Sequence, residues 1–541
     1  VANQITDNRT LVDVADATTN YVPAVAGGGA SVAQDTDIKI EGIASIAEQI
    51  SSSRRGILYN AGGTQDWSNN VFYIWINCGI VGLLDLKSNG GFTIRFTGPT
   101  VTDFFEFYVG GSDSWPVAVE GGWTQFVVDI EASTSNTGGT PPATTAIQHV
   151  GFTAITATVM TKTVDNTWID EIRRLPDGNP GIIVEGRNGG STDWNFDDIV
   201  TQLGTSAGTM KDTTGGAFAL NTPIQFGIND TSTHGFADTN KIILWEDQEF
   251  APTDLYKLSA LGNVGGTTNV NLGLKTGTGD DATGAQGGVI SAASTGVRWD
   301  MDFNDANLDA INFYGVQMVH GGAFVLDDPA VEVISSTYLD CSSALVTNSL
   351  QLRNKIIDAN TADGVAFMTT DDLGDLRFCE FAFSDGHGVE LTTPRVASQT
   401  SKGNRFVGYA LQAGNANDRA LYNNTAGAVD ISATVGASVT EHSYRDGTSA
   451  STTVTAAITV SMSNFAIGTE IRVYISSSGV EEDGIETTVA DPWDASLQAG
   501  VNYDIVAILP EYVPIRFESQ SFTGDATFNL NQQVDRNFSN P

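Results

Sequence analysis

The chain has 541 residues, too many for one compact core, and its 58 Gly, 9% aromatic and 17% charged residues describe an all-β composition poor in helix formers. A formal net charge of -38, made of 45 Asp and 19 Glu against 17 Arg and nine Lys, argues against nucleic acid and against anionic membrane as partners. Such a surface is either that of an ordinary acidic protein or one suited to marine or hypersaline water, where salt screens the self-repulsion.

Three scattered cysteines, Cys78, Cys341 and Cys379, indicate neither a disulfide framework nor a zinc site, and Cys341 and Cys379 read as small core residues of neighbouring coils. No stretch approaches the ~20 apolar residues of a membrane helix, so no membrane insertion is expected. The start, Val1-Ala2-Asn3-Gln4-Ile5, lacks the basic and apolar regions of a secretion signal.

Residues 1–30 are small and polar and end in a glycine run at Gly27, Gly28 and Gly29, which reads as an arm or linker. In an assembled particle such an arm would tether the chain to other proteins. Over 31–178, short alternating runs at 37–43, 56–59, 71–76, 91–96, 104–109, 123–130, 147–152 and 168–173 predict a two-sheet jelly-roll sandwich.

The phrases GWTQFVVDI at 122–130, IQHVGF at 147–152 and WIDEI at 168–172 resemble the last strands of lectin-like, concanavalin-type or carbohydrate-binding-module jelly rolls. The resemblance implies sugar binding on a concave sheet or on edge loops. A sugar site needs flat apolar faces for pyranose rings together with carboxylates and amides for hydroxyls. Trp67 and Trp115, with Asp66, Asn69, Asp103 and Asp113, are the loop candidates for it. The alternative is that Trp75, Trp123 and Trp168 are core residues and the loop pair only caps them.

The turn Pro176-Asp177-Gly178-Asn179-Pro180-Gly181 marks a boundary. Beyond it, 182–185 predicts a strand, and 193–203, opened by Thr192 or Asp193 as N-cap, predicts a short helix that would cap a solenoid. Further β segments are expected at 224–228, 241–246, 255–260 and 270–275.

From 308 to 422 two phrases recur every twenty-odd residues. One sets a small or polar residue two places before a large apolar one: Asn312 and Tyr314, Ser336 and Tyr338, Asn354 and Ile356, Cys379 and Phe381, Asn404 and Phe406. The other joins a small residue to an apolar run: Gly322-Ala323-Phe324, Ser343-Ala344-Leu345, Gly364-Val365-Ala366-Phe367, Gly388-Val389-Glu390-Leu391 and Ala420-Leu421-Tyr422. Short β-type units at this period predict a right-handed parallel β-helix over 179–450, with an ordinary β-sandwich of regular turns as the alternative. The segment 451–541 alternates cleanly and predicts a small C-terminal β-sandwich, with strands at 458–462, 470–475, 502–509, 515–518 and 526–533. Its phrases GTEIRVY at 468–474, EYVPIR at 511–516 and QQVDRNFSNP at 532–541 resemble the C-terminal modules of structural proteins from tailed viruses of marine microbes.

Few motifs suggest chemistry. The G-x-S-x-G string at 204–208 follows a predicted helix instead of a strand, so it is not a nucleophile elbow. Asp300, Asp302 and Asn304 would share one face of a strand, as a candidate Ca²⁺ site or simply a solvated acidic edge. In a β-helix, carboxylates from neighbouring coils can pair for polysaccharide cleavage; Asp327, Asp328, Asp371, Asp372, Asp385 and Glu390 are the candidates, with His320 and His387 as partners. Asp385-Gly386-His387-Gly388 also reads as a tight turn, and no catalytic residue is assigned. The five histidines show no metal-site spacing, and no soluble cofactor is expected.

These readings combine into a non-enzymatic virion structural protein of a tailed virus: an exterior fibre, spike or capsid-surface appendage, expected to be a homotrimer, that binds host-surface glycans. The alternatives are a polysaccharide depolymerase with its groove on the β-helix and a secreted cell-surface adhesin.

Overall fold

The computed structural model describes the chain except for residues 1–4, 25–31, 38, 40–43, 50–54, 79–91, 109–122, 155–165, 186–201, 204–208, 213–216, 221, 228–232, 237–240, 245–255, 262–267, 293–297, 306–307, 394–397, 410–416, 435–441, 457, 478, 480, 498–500 and 536–541. It is an all-β protein of two compact units, Val1–Ser349 and Leu350–Pro541. No helix among the described residues is long and apolar enough to cross a membrane.

The first unit opens with a sandwich of two antiparallel sheets. One runs in the order Trp123–Asp129, Asn70–Cys78, Asn166–Pro176, Ser45–Gln49, Ala33–Asp35; the other runs Asn136–Gly138, Phe104–Tyr108, Phe92–Thr97, Ile147–Ala154, Arg55–Gln65, Tyr21–Pro23. Alternation along each strand decides which face is apolar. Phe72, Ile74, Ile76, Phe126 and Ile169 from the first sheet meet Ile94, Phe96, Phe105, Val150 and Phe152 from the second in one buried core.

The predicted arm is not free. Thr10–Asp13 pairs with Asn166–Pro176, Tyr21–Pro23 extends the second sheet, and Ile5–Asp7 lies antiparallel on Ile182–Val184. Ile182–Val184 is the first strand of a parallel stack, and Ile5–Asp7 covers its open edge, which would otherwise present unpaired backbone groups. The helix predicted at 193–203 lies outside the described residues except for Gln202 and Leu203, which are helical; the Gln202 side-chain oxygen accepts from the Ile5 amide at 2.9 Å.

Three parallel sheets follow. The chain visits them in turn, as in Leu308–Tyr314, Gln317–Val319 and Gly321–Val325, then Val331–Ile334, Thr337–Leu339 and Ser343–Leu345, each coil pairing in parallel with the one before. This is a parallel β-helix. The second unit carries the same three-sheet arrangement from Leu350–Leu352 to Ser451–Ala456, and then a small sandwich. The strand Ser451–Ala456 therefore belongs to the coils, although its sequence reads as the start of the terminal sandwich. That sandwich sets Trp493–Leu497, Ile458–Ser463 and Ala526–Asn529 against Glu481–Ile485, Glu470–Ile475, Asn502–Ile508 and Ile515–Ser521 around Val460, Ile471, Val473, Tyr503 and Ile505.

The repeat phrases have a physical cause in the corners between sheets. In the first unit Gly315 and Ser335, and in the second Arg353, Phe378 and Gly403, take left-handed φ values of 66, 53, 56, 54 and 65° just after a strand ends. The next residue, Val316, Ser336, Asn354, Cys379 or Asn404, is buried at the corner, and the following strand begins. Asn404 shows why polar residues recur there. Its side chain accepts from the Cys379 amide at 3.0 Å and donates to the Leu376 carbonyl at 2.6 Å, so it pairs backbone groups that the turn takes out of the ladder. In the second unit Ile356, Phe381 and Phe406 stack in direct register. Tyr314 departs from the expected pattern: it lies on the strand before the corner, and Met318 is the residue in register with Tyr338.

Candidate functional site

The loop residues singled out in the sandwich do not make a ligand platform. Trp67 is only 4% exposed and packs edge-on against Phe72 at 5.1 Å, so its ring faces are inside the core. Asp66 is exposed but its carboxylate accepts from the Ser68 amide and hydroxyl at 3.1 and 2.7 Å, which holds its pKa below the usual carboxylate value. Asn69 has φ 53°, with its amide on Glu131 and its carbonyl accepting from Asp177. Asp103 accepts from the Thr140 amide at 3.1 Å. These three shape turns. Trp115 and Asp113 lie outside the described residues. Trp75, Trp123 and Trp168 cluster with Ala47 on the face of their sheet opposite the main core, and all are buried.

Asp300 and Asp302 do share one face of Trp299–Asp302, whereas Asn304 lies past the strand end. Their oxygens already have partners: Asp300 accepts from the Ala323 amide at 2.7 Å, and Asp302 pairs with Lys257 at 3.2 Å. Among the described residues no three Asp, Glu, His or Cys side chains converge as metal ligands would.

The β-helix carboxylates are placed differently from one another. Asp328 caps the Ala330 amide and Asp372 the Gly374 amide, both local turn bonds. Asp385 is exposed in its turn. His320 holds the Ala292 carbonyl and lies 3.5 Å from Asp340, which also takes Arg298.

Glu390 and His387 are the two sequence candidates that the fold brings into one constellation. In the second unit, parallel pairing aligns Thr369 with Glu390, Glu390 with Tyr422, and Tyr422 with Arg445. Residues in register on adjacent strands of a parallel sheet project from the same face, one strand spacing of about 4.8 Å apart. The neighbours Val389 and Leu421 are buried inside the coil, so this row faces outward. Tyr422 is half-buried at its centre.

The row is tied together by side chains. The Tyr422 hydroxyl donates to Asn424 Oδ1 at 3.2 Å, and Asn424 donates to Glu390 Oε1 at 2.8 Å. On the other side, Arg445 Nη1 donates to Asn417 Oδ1 at 2.7 Å, and Asn417 donates to Asp363 Oδ2 at 2.9 Å. The guanidinium lies 5.2 Å from the centre of the Tyr422 ring. Gly364 sits beside this arrangement in the turn before the strand Ala366–Thr370, at a left-handed φ of 79° that glycine adopts without strain.

His387 forms the floor. Its ring is fully buried, stacks on Tyr422 at 5.0 Å and accepts at Nδ1 from the Arg419 amide at 3.0 Å. Burial, and after it the nearby Arg445 charge, push its pKa down, so at neutral pH the imidazole is uncharged. The face thus offers an aromatic ring, two amides, two carboxylates and one guanidinium. Tyr422, Arg445, Asn417 and Asp363 carry no motif that sequence spacing would reveal, because they come from four separate segments; only Tyr422 stood out, as the last apolar anchor of the repeat.

No protein-family model matches the chain, and no curated protein matches it. Among solved structures, an exo-β-agarase aligns at 12% identity over 31% of this chain and 25% of its own, with a TM-score of 0.22, so the match spans about a quarter of that enzyme. A family 11 carbohydrate-binding module from Clostridium thermocellum, in complex with a β-1,3-1,4-mixed-linked tetrasaccharide, aligns at 10% identity over 31% of this chain and 95% of its own, with a TM-score of 0.21. The catalytic domain of a GH87 α-1,3-glucanase aligns at 11% identity over 76% and 75% of the two chains, with a TM-score of 0.17.

Proposed function

We propose that this is a glycan-binding protein that holds a polysaccharide without cleaving it, on the outward face of the β-helix around Tyr422. The observation that carries this reading is the outward row of Glu390, the half-buried Tyr422 ring and Arg445, in which Asn424 bonds both Tyr422 and Glu390 while Asn417 bonds both Arg445 and Asp363. A pyranose presents an apolar face and a rim of hydroxyls, and this is the complementary set of groups. The non-cleaving part of the proposal rests on Glu390 and Asp363 each being bonded to a neighbouring amide, an arrangement that positions hydroxyl acceptors.

The setting we favour is the exterior of a tailed-virus particle, supported by the resemblance of the C-terminal phrases to virion modules. A closed homo-oligomer there would turn weak single contacts into avidity.

The test is to mix the purified protein with surface polysaccharides and follow both by size-exclusion chromatography with light scattering. Co-elution of intact polysaccharide, lost in Tyr422→Ala, is expected. Shortened polysaccharide would replace the binding reading with a depolymerase, and no association would remove the glycan reading; the protein's own mass reports its oligomeric state.

A further inference from the structure

Resting on the reading of the Tyr422 face as a glycan site, we infer that its ligand is an anionic sugar, whose acid group, a carboxylate or a sulfate ester, is received by the Arg445 guanidinium while the ring lies against Tyr422.

The argument starts from how arginines are used in this chain. With 64 acidic and 26 basic residues, carboxylates are in excess, and a guanidinium is readily neutralised by one. In the same unit Arg472 lies 2.9 Å from both Glu470 and Glu481, Arg516 is 3.1 Å from Asp504, and Arg405 is 3.9 Å from Glu380. Arg445 is held otherwise. Its partners are the Asn417 amide oxygen and the Tyr422 ring, with the His387 ring 3.5 Å away, and no carboxylate among the described residues pairs with it.

Neutral partners fix the guanidinium in place, and Asp363 is linked to it only through the Asn417 amide, so its remaining donors are not held by a carboxylate. One nitrogen, Nη1, is bonded to Asn417. A planar fork with donors remaining matches the oxygens of a carboxylate or sulfate, a geometry that a lysine ammonium does not offer. His387 brings no second positive charge to compete for the anion, because its ring is buried and neutral. Glu390, within the row, is bonded to Asn424, and Asp363, in the turn before the strand Ala366–Thr370, is bonded to Asn417; both would take hydroxyl donors of the sugar. The distant acidic surface is not an obstacle at physiological salt, since the screening length there is about 8 Å and the contact with Arg445 is direct.

The experiment is isothermal titration of the full chain with three matched oligosaccharides at about 0.15 M salt: neutral, uronic-acid-bearing and sulfated. One charge-assisted contact corresponds to about tenfold or more in affinity, so the acidic sugars should bind at least about tenfold more tightly than the neutral one. Preference for the uronate or for the sulfate identifies which acid is recognised, and either supports the inference. Arg445→Gln keeps a donor for Asn417 and removes the charge; it should bring the acidic sugars down to neutral-sugar affinity, with Arg445→Lys in between. Equal wild-type affinity for neutral and acidic sugars, or a preference that survives in Arg445→Gln, overturns the inference while the glycan reading stands. Binding of no sugar by the folded protein overturns both. The wild-type comparison decides the matter even where a variant fails to fold.

Discussion

Phe381 and Phe406 lie face to face, ring centres 4.9 Å apart and planes within 15°, although 25 positions separate them in the chain. They occupy the same register position in successive coils. Truncating Phe406 to Ala removes one ring of a stacked buried pair and leaves a cavity between coils. The expected loss is about 3–5 kcal/mol in urea denaturation, with Phe406→Leu costing clearly less. A loss below about 1 kcal/mol would mean that the stack is not part of the stability of the coils.

Asn404 serves two backbone groups at once, so its variants should separate by chemistry. Asn404→Ala orphans the Cys379 amide and the Leu376 carbonyl, each at a cost of about 1–3 kcal/mol. Asn404→Asp keeps an acceptor for Cys379 and loses the donor to Leu376, so at neutral pH it should also be destabilised. Equal stability of wild type and Asn404→Ala would show that the corner does not need its asparagine.

The buried pair in the sandwich makes a sharper contrast. Arg95 Nη2 lies 2.7 Å from Glu106 Oε2, both side chains are at most 5% exposed, and the guanidinium packs 3.7 Å from the Phe104 ring centre. Glu106→Ala leaves an uncompensated buried charge and should cost about 3–5 kcal/mol. Replacing both partners by Leu and Met should recover most of that loss. A double variant as unstable as the single one would show that Thr93 and Asn136, which also bond Glu106, matter more than the ion pair.

Trp67 distinguishes a core role from a ligand role. Trp67→Ala should lower the denaturation midpoint, in line with the roughly 3–5 kcal/mol usual for a large aromatic core residue, and leave glycan affinity per folded molecule unchanged. Tyr422→Ala should do the reverse, because its ring is half-buried on an outward face. An unstable Tyr422→Ala with undiminished binding would exchange the two assignments.

Stability should also depend on pH in one direction. His149 and His387 both have pKa values pushed below 6.5, chiefly by burial. A folded-state value below the unfolded one means that the unfolded chain binds more protons, so the stability these two residues contribute is present above about pH 6.5 and is lost as pH falls through that value. The urea midpoint should therefore drop between about pH 7.5 and 5.5. A double variant, His149→Gln with His387→Gln, should flatten that part of the profile. A wild-type midpoint that is constant over the window would contradict the buried-neutral state of both rings.

The sequence by itself determined the kind of protein and much of its plan. Alternating apolar residues are a local property, so the strands at Asn70–Cys78, Phe92–Thr97, Phe104–Tyr108, Trp123–Asp129 and Ile147–Ala154 could be read from it to within a few residues. The coil period was legible too, because each corner needs a small or polar residue that can end one strand and start the next, as at Ser336, Asn354, Cys379 and Asn404. Tertiary structure decided which face each residue took and what met it there. Trp75, Trp123 and Trp168 fell on the side of their sheet away from the main core, since one step along a strand reverses the direction of a side chain, while Trp67, in the loop before Asn70–Cys78, packs into that core. The segment 1–30 read as an arm because short polar stretches have no period of their own; the strands it pairs with come from far along the chain. The Tyr422 face depends on coil-to-coil register, which aligns Glu390, Tyr422 and Arg445, and on side-chain bonds that add Asn417 and Asp363 from turns up to 82 residues away. Those distances are set by parallel pairing between coils, an interaction that no local pattern in the chain encodes.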